Sequence, residues 1–251
     1  MMVHQTMQLL GELRLAGVSE MLPQRLKESA SAELGYEGFL NLVLEDEKRY
    51  RHNDRIKRLL KRADFRQKAN LEAFETKPSR GVDKRLLNDL GALRFMKTGE
   101  NLLISGPTGV GKSFLSSAIG HHACRNGHVV NFFRMNMLIE KFNIERARAN
   151  YLNFIKRAVA AELLILDDFG IKPLEPAQFQ DLYDVIDERG EDRSLIITTQ
   201  VPPENWSDII DDPVTCEAIT DRIMSRCTHI KMTGQSFRRK LGKEDDAIDK
   251  V

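Results

Sequence analysis

Two patterns of apolar and polar positions divide this chain. In residues 1 to about 70, apolar residues such as Leu9 and Leu13 recur at helical intervals, and 40–65 continues without Gly or Pro. This spacing is typical of amphipathic helices, and we see no convincing strand there. After residue 98, short apolar runs alternate with segments of helical length. We therefore predict a helical segment followed by an α/β domain.

The apolar runs of the second part predict an α/β fold with a parallel five-stranded sheet flanked by helices. Near-continuous apolar runs are typical of strands that are covered on both faces. Domain boundaries are expected at 1–70, a small all-helical domain, and 71–251, the α/β domain. The predicted strands are NLLIS (101–105), VVNFF (129–133), LLILD (163–167), LIITT (195–199) and HIKM (229–232).

Composition narrows the class of protein. The 251 residues are 41% hydrophobic and 30% charged, with a net charge of +1, which is ordinary for a soluble protein. Three well-separated cysteines without a C-x-x-C pair argue against a disulfide scaffold or a zinc site and fit a reducing cytosol. No apolar run approaches the ~18–20 residues of a membrane span, and the N-terminus lacks the pattern of a signal peptide. We expect a cytoplasmic protein with no membrane partner.

The segment GPTGVGKS (106–113) matches a phosphate-binding loop and lies between a predicted strand and a predicted helix. Glycines let the backbone N–H groups point at phosphate oxygens, and the following helix adds its positive end. Lys112 is expected to reach the β- and γ-phosphates, and the Ser113 hydroxyl to ligate Mg²⁺. A simple connecting turn is the weaker alternative. The predicted nucleotide-binding residues are Gly106, Pro107, Thr108, Gly109, Val110, Gly111, Lys112, Ser113 and Phe114.

Polar residues follow two of the predicted strands at the edge where open α/β sheets bind ligands. Asp167 is expected to hold Mg²⁺, directly or through water, and Asp168 to orient or deprotonate the attacking water. Many ATPases of this kind have Glu at the position of Asp168. Asp is one methylene shorter, so hydrolysis could be slower, use an ordered water relay or depend on a partner that closes the site. In IITTQ, Gln200 is the first candidate for a hydrogen bond to the γ-phosphate or to that water, and Thr199 is the second. For either residue alone, a Thr/Gln turn without a catalytic role is nearly as well supported.

The base is expected to be adenine, because the N-K-x-D sequence that recognises guanine is absent. Residues 63–75 could cover it. The predicted cofactors are therefore ATP and Mg²⁺.

The segment DRIMSRC (221–227) has the spacing of a helix with two arginines, Arg222 and Arg226. With GPTGVGKS, LLILDDFG and LIITTQ in this order, the chain resembles the IstB/DnaC family of AAA+ ATPases, and within it the IstB helpers of insertion-sequence transposases. LRLAGVSEML, ANLEAFE and GQSFRRK extend the similarity over nearly the whole chain.

The resemblance implies a P-loop AAA+ fold, and subunits stacked in a helical or ring-like homo-oligomer. Because the given sequence ends soon after the fifth predicted strand, we expect no C-terminal lid domain. It also implies an arginine finger acting in trans, for which Arg226 is preferred over Arg222. The alternative is a surface arginine paired with Asp221 or Glu217. Arg238 and Arg239 are weak candidates for a second sensor or a phosphate contact.

Residues 48–68 contain ten Lys or Arg and two Asp. The arginines recur in steps of four, three and four, so they form one stripe on a helix. Such a stripe suits a phosphate backbone, most simply duplex DNA bound with little sequence preference, although a solvated charged face is the common alternative. The predicted DNA-binding residues are Arg51, Arg55, Arg58, Lys61 and Arg62.

Together these features predict an ATP-dependent, DNA-binding transposition helper that oligomerises on DNA and recruits a transposase. A replicative-helicase loader is the first alternative, because the ATPase core does not separate the two. A small-molecule P-loop kinase and a nucleotide-binding structural protein with negligible turnover are further alternatives.

Overall fold

The computed structural model describes residues 2–31, 35–76, 80–210 and 212–237. The chain divides into two compact units, Met1–Arg58 and Leu59–Val251. None of the helices in the described ranges is both long and apolar enough to cross a bilayer.

The first unit is helical, with α1 (Met2–Glu12), α2 (Ala16–Ser31) and most of α3 (Tyr36–Ala63). The helical spacing predicted through Leu13 is interrupted, because α1 ends at Glu12 and Arg14 adopts a left-handed φ of 53°. A small core contains Val18, Leu22 and Val43.

Close packing of α2 on α3 depends on Gly17. A Cβ atom there would lie 2.5 Å from the Tyr50 Cβ, so a larger residue would separate the two helices. The buried Glu47 carboxylate accepts hydrogen bonds from the first N–H groups of α2, Gly17 N at 2.8 Å and Val18 N at 3.1 Å. It therefore supplies the partners that a helix N-terminus needs.

The second unit has a parallel sheet in the order β2-β3-β4-β1-β5, which confirms the predicted five-stranded α/β fold. Strand β1 has the predicted bounds, and the other strands differ from prediction by a few residues. The remaining elements are α4 (Lys84–Gly91), α5 (Arg94–Thr98), β1 (Asn101–Ser105), α6 (Lys112–Arg125), β2 (Val130–Arg134), α7 (Met135–Ala147), α8 (Tyr151–Val159), β3 (Leu163–Phe169), α9 (Pro176–Glu188), β4 (Ser194–Thr199), α10 (Pro213–Met224) and β5 (Cys227–Lys231), with short 3₁₀ helices at Leu71–Ala73 and Pro203–Asp208.

Helices cover both faces of this sheet. Successive strand residues point to opposite faces, so Leu102 and Ile104 pack in a cluster with α6, whereas Leu103 packs in a cluster with α7 to α10. Leu59 and Ala63, in the last turn of α3, belong to the first cluster. The sheet is buried on both sides, as the apolar runs predicted, and its polar groups are concentrated at the strand ends.

Candidate active site

The loop between β1 and α6 has the backbone conformation that its glycines permit. Gly106 and Gly109 have φ values of 148° and 81°, in the region that side chains disfavour. A Cβ atom would lie 2.1 Å from the Met232 carbonyl oxygen at Gly106 and 2.0 Å from the Ser236 Oγ at Gly109. Both positions therefore require glycine for conformation and for space.

Lys112 holds the loop closed at its base. Its side-chain Nζ donates to the carbonyl oxygens of Gly106 at 2.7 Å and Pro107 at 2.9 Å. Helix α6 begins at this residue, so its positive N-terminal end points at the space above the loop. The arrangement is suited to an anion such as a phosphate.

A pocket of about 520 Å³ opens above the loop. The segment 63–75, which was expected to cover the base, contributes Arg66, Gln67, Ala73, Phe74 and Glu75. The lining residues that the sequence did not predict are Ser117, Phe132 and Phe237. The predicted residues that line it are Thr108, Gly109, Gly111, Lys112, Ser113, Phe114, Asp167, Asp168 and Gln200.

Asp167, on β3, is fully buried at the floor of this pocket. Its Oδ1 accepts a hydrogen bond of 2.6 Å from the Thr198 hydroxyl, whereas its buried Oδ2 has no hydrogen-bond partner among the described residues. Burial raises the pKa of Asp167, and the Thr198 and Ser113 hydroxyls and the Arg66 charge oppose that rise.

Asp168 lies beside Asp167 because the strand is irregular at this point. The pairing of β3 with β4 shifts between Leu166 and Phe169, and Asp168 adopts a left-handed φ of 62°. Asp tolerates this conformation better than most residues do. Two consecutive carboxylates can therefore line one pocket, whereas a regular strand would point them to opposite faces.

Thr198 joins the two acids. Its hydroxyl donates to Asp167 and accepts a hydrogen bond of 3.0 Å from the Asp168 N–H. The sequence placed Thr198 at this sheet edge but assigned it no role. Its position at the end of a predicted strand, one residue before Thr199, could have indicated a role beside the acidic residues.

The two candidates after Thr198 face different surroundings. Gln200 is exposed and lines the pocket. Thr199 is fully buried, and its hydroxyl lies 3.0 Å from the carbonyl oxygens of Phe169 and Val201. The structure therefore brings Gln200, but not Thr199, to the pocket.

The residues around Asp167 fit a hard cation. Mg²⁺ prefers oxygen ligands and is commonly held by one or two protein groups together with phosphate oxygens and water. Asp167 has a buried oxygen with no described partner, and the Ser113 hydroxyl lies at the start of α6 on the same pocket wall. No group of three or more His, Cys, Asp or Glu side chains suited to a metal ion occurs within the described ranges.

Three aromatic side chains line the pocket beside the loop. The Phe74 and Phe114 rings are stacked with centroids 6.3 Å apart. Phe237 is tied to the loop by a 3.0 Å hydrogen bond from its N–H to the Gly109 carbonyl, and the Arg80 guanidinium lies 3.5 Å from the centre of its ring. The flat apolar surfaces suit a planar base, and Phe74 belongs to the segment expected to cover it.

The protein family of this chain follows from a match over most of its length. The matching family model, described as IstB-like ATP binding protein, covers residues 8–245. The chain belongs to the IstB-like ATP-binding family. It is 34% identical over 239 residues to the insertion sequence ATP-binding protein y4uH of Sinorhizobium fredii, which covers 95% of this chain and 96% of that protein.

Solved structures of two replication proteins share the fold of this IstB-like chain. The DnaC helicase loader has a TM-score of 0.55 and 20% identity, covering 66% of this chain and 97% of that one. AMPPCP-bound DnaA from Aquifex aeolicus has a TM-score of 0.58 and 17% identity, covering 72% of this chain and 56% of that one. At these identities the likeness concerns the fold alone.

The two arginines of this IstB-like chain lie far from its own phosphate loop. Arg222 is on α10, but Arg226 is not, because the helix ends at Met224 and the Arg226 carbonyl accepts a 2.7 Å hydrogen bond from the Asn101 N–H at the start of the sheet. Both arginines therefore lie near the amino edge of the sheet. The four residue steps from Asn101 to Ser105 alone separate that edge from the loop by about 13 Å.

Each arginine has partners in its own chain, and they are not the predicted Asp221 and Glu217. Arg222 lies 3.3 Å from a carboxylate oxygen of Asp187. Arg226 donates to the Thr98 carbonyl at 2.8 Å and lies 3.5 Å from the Glu191 carboxylate. Exposed pairs of this kind contribute little stability, so either arginine can exchange its partner for a stronger anion. Arg238 and Arg239 lie outside the described residues.

The predicted basic stripe lies along α3, and all five of its residues are exposed. Arg51 pairs with Glu47 at 2.7 Å and Arg58 with Asp54 at 3.1 Å, both one turn away on the same helix. The members of the stripe are Arg51, Arg55, Arg58, Lys61 and Arg62.

Proposed function

We propose that this chain is an ATPase that binds DNA and assists an insertion-sequence transposase. The observation that carries the proposal is the meeting of the phosphate loop, two adjacent carboxylates and Gln200 around one pocket. The names of the curated relatives, which are insertion sequence ATP-binding proteins, support the link with transposition.

Within the site, the loop N–H groups and the end of α6 bind the phosphates, and Lys112 adds a positive charge. Ser113 and Asp167 would hold Mg²⁺, which would neutralise charge on the phosphate oxygens. Asp168 orients the attacking water and accepts its proton, and Gln200 contacts the terminal phosphate or that water. Phe74, Phe114 and Phe237 enclose the adenine.

An arginine from a second copy completes this site. Arg226 cannot reach its own pocket across the sheet, so a role in hydrolysis requires a neighbouring subunit. Contacts between the loop edge of one subunit and the arginine edge of the next are head-to-tail, and such contacts generate rings or open helices. ATP would then stabilise the oligomer in which it is hydrolysed.

The exposed stripe on α3 supplies the contact with duplex DNA. Its side chains suit contacts with a phosphate backbone, which carry no sequence information. An oligomer on DNA then presents many copies of the first unit to a transposase.

The decisive experiment measures ATP hydrolysis across protein concentration, with and without duplex DNA. An assembly-dependent ATPase gains specific activity with concentration and with DNA, whereas a small-molecule kinase would be indifferent to DNA. Lys112→Ala should abolish nucleotide binding or hydrolysis, and normal turnover by this variant would refute the assignment of the phosphate site.

The DNA contact has a separate test. Reversing both Arg55 and Arg58 to Glu should weaken duplex binding and lower the slope of log K against log salt by about 2, one unit for each lost phosphate contact. Reversing Lys84 and Arg85, an exposed pair on α4, is the matched control. A slope that is unchanged by the α3 reversals, or lowered equally by both pairs, would show that DNA binds elsewhere.

A further inference from the structure

Arg66 is a cation of the pocket that no motif predicted. Of the charged side chains that line the pocket, Arg66 and Lys112 are positive, whereas Glu75, Asp167 and Asp168 are negative. Lys112 donates to two carbonyl oxygens of the loop. Within the described part of the chain, the Arg66 guanidinium has no ion pair and no hydrogen-bond acceptor. It is therefore a second cation, in addition to Lys112, that an incoming anion can contact.

The position of Arg66 is set by the residue before it. The Phe65 ring stacks on His121 of α6, with centroids 4.1 Å apart and an angle of 26° between the planes. Gly120 makes room for this ring, because a Cβ atom there would lie 2.6 Å from it. Helix α6 begins at Lys112, so the packing of Phe65 on this helix places Arg66 beside the helix that forms part of the phosphate site.

Arg66 lines the pocket on the side of β3. The ring of the preceding Phe65 lies 5.7 Å from that of Phe132, whose register partner on β3 is Ile165, two residues before Asp167. In agreement with this position, the Arg66 charge opposes the rise in the pKa of Asp167. The aromatic groups that suit a base lie beside the loop. We expect a triphosphate whose base packs against them to extend its terminal phosphate towards Asp167 and Arg66.

We propose that Arg66 is a phosphate-binding residue that contacts the terminal phosphate of ATP from within the same chain. This inference rests on the proposed function and deepens it, because it adds a contact in cis to the one expected from a neighbouring subunit. A guanidinium suits the role since it presents several donors in a plane that matches phosphate oxygens.

The test compares the binding of ADP with that of AMPPCP, an analogue that keeps a terminal phosphate, by calorimetric titration in Mg²⁺. All measurements use the full chain carrying Arg226→Ala, which removes the contact expected in trans. Arg66→Ala should raise the Kd of AMPPCP about 10- to 100-fold, the range for a hydrogen bond to a charged group, and leave the Kd of ADP nearly unchanged. Arg66→Lys should fall between.

Lys68→Ala is the matched control, because Lys68 is exposed in the same connector but does not line the pocket. It should change neither Kd. Equal weakening of ADP and AMPPCP by Arg66→Ala would overturn the proposal, as would no effect on either. If neither the Arg226→Ala parent nor the unsubstituted chain binds ADP or AMPPCP, the proposed function itself fails. This result differs from the two that would overturn only the role of Arg66. Thermal melting verifies that each variant is folded.

Discussion

Replacing Arg226 with Ala tests whether two subunits share one hydrolytic site. The side chain lies near the amino edge of the sheet, about 13 Å or more from the loop along β1, so its loss cannot disturb phosphates bound in the same chain. We expect the Kd of ADP to stay at the wild-type value. Hydrolysis should fall by about 10³- to 10⁵-fold, the effect of removing an arginine finger from a phosphoryl transfer.

ATP hydrolysis by a mixture of two variants gives a quantitative test of the shared site. Lys112→Ala has a defective pocket and an intact Arg226, and Arg226→Ala has the reverse. In an equal mixture, about one interface in four joins an intact pocket to an intact arginine, because each side is suitable in half of the cases. We therefore expect the mixture of two nearly inactive proteins to recover up to about a quarter of wild-type ATP hydrolysis.

Controls separate this effect from general damage. Lys97→Ala removes an exposed charge from α5, near the same edge of the sheet, and should leave hydrolysis unchanged. Arg222→Ala, measured in parallel, tests the second candidate; if it alone abolishes hydrolysis, the finger is Arg222. No recovery on mixing, or full activity of an isolated protomer saturated with ATP and DNA, would refute the shared site.

Two further predictions concern buried polar groups. Thr198→Val removes the hydroxyl between Asp167 and Asp168, so it should destabilise the protein by about 1–3 kcal/mol in urea unfolding. Because that hydroxyl lowers the pKa of Asp167, its loss should also move the acid limb of the pH profile of ATP hydrolysis to higher pH. An acid limb that matches the one of Thr199→Val would contradict this. Burial acts to raise the pKa of Glu47, but its hydrogen bonds outweigh burial and the net pKa is lowered. The stability that its charge contributes is thus complete above the unfolded pKa of about 4.3 and is lost as the pH falls through the folded value. The difference in unfolding free energy between wild type and Glu47→Gln should shrink over that range, and a constant difference would refute the role of the charge.

The sequence by itself determined the fold class and the phosphate loop. Both depend on local chemistry: apolar runs identify strands covered on two faces, and glycines at fixed spacing permit one backbone path. Strand β1 and the loop at 106–113 therefore lie where the motifs predicted them. The family could also be identified, because the order of several short motifs is a property of the chain alone.

Only the tertiary structure decided which side chains share the pocket. The bulge that turns Asp168 beside Asp167 depends on pairing with β4, and the role of Thr198 depends on that same pairing. Arg66 reaches the site because Phe65 packs against Gly120, more than fifty residues away in the sequence. Spacing along the chain cannot encode such contacts, because they form only when separate segments are packed against one sheet.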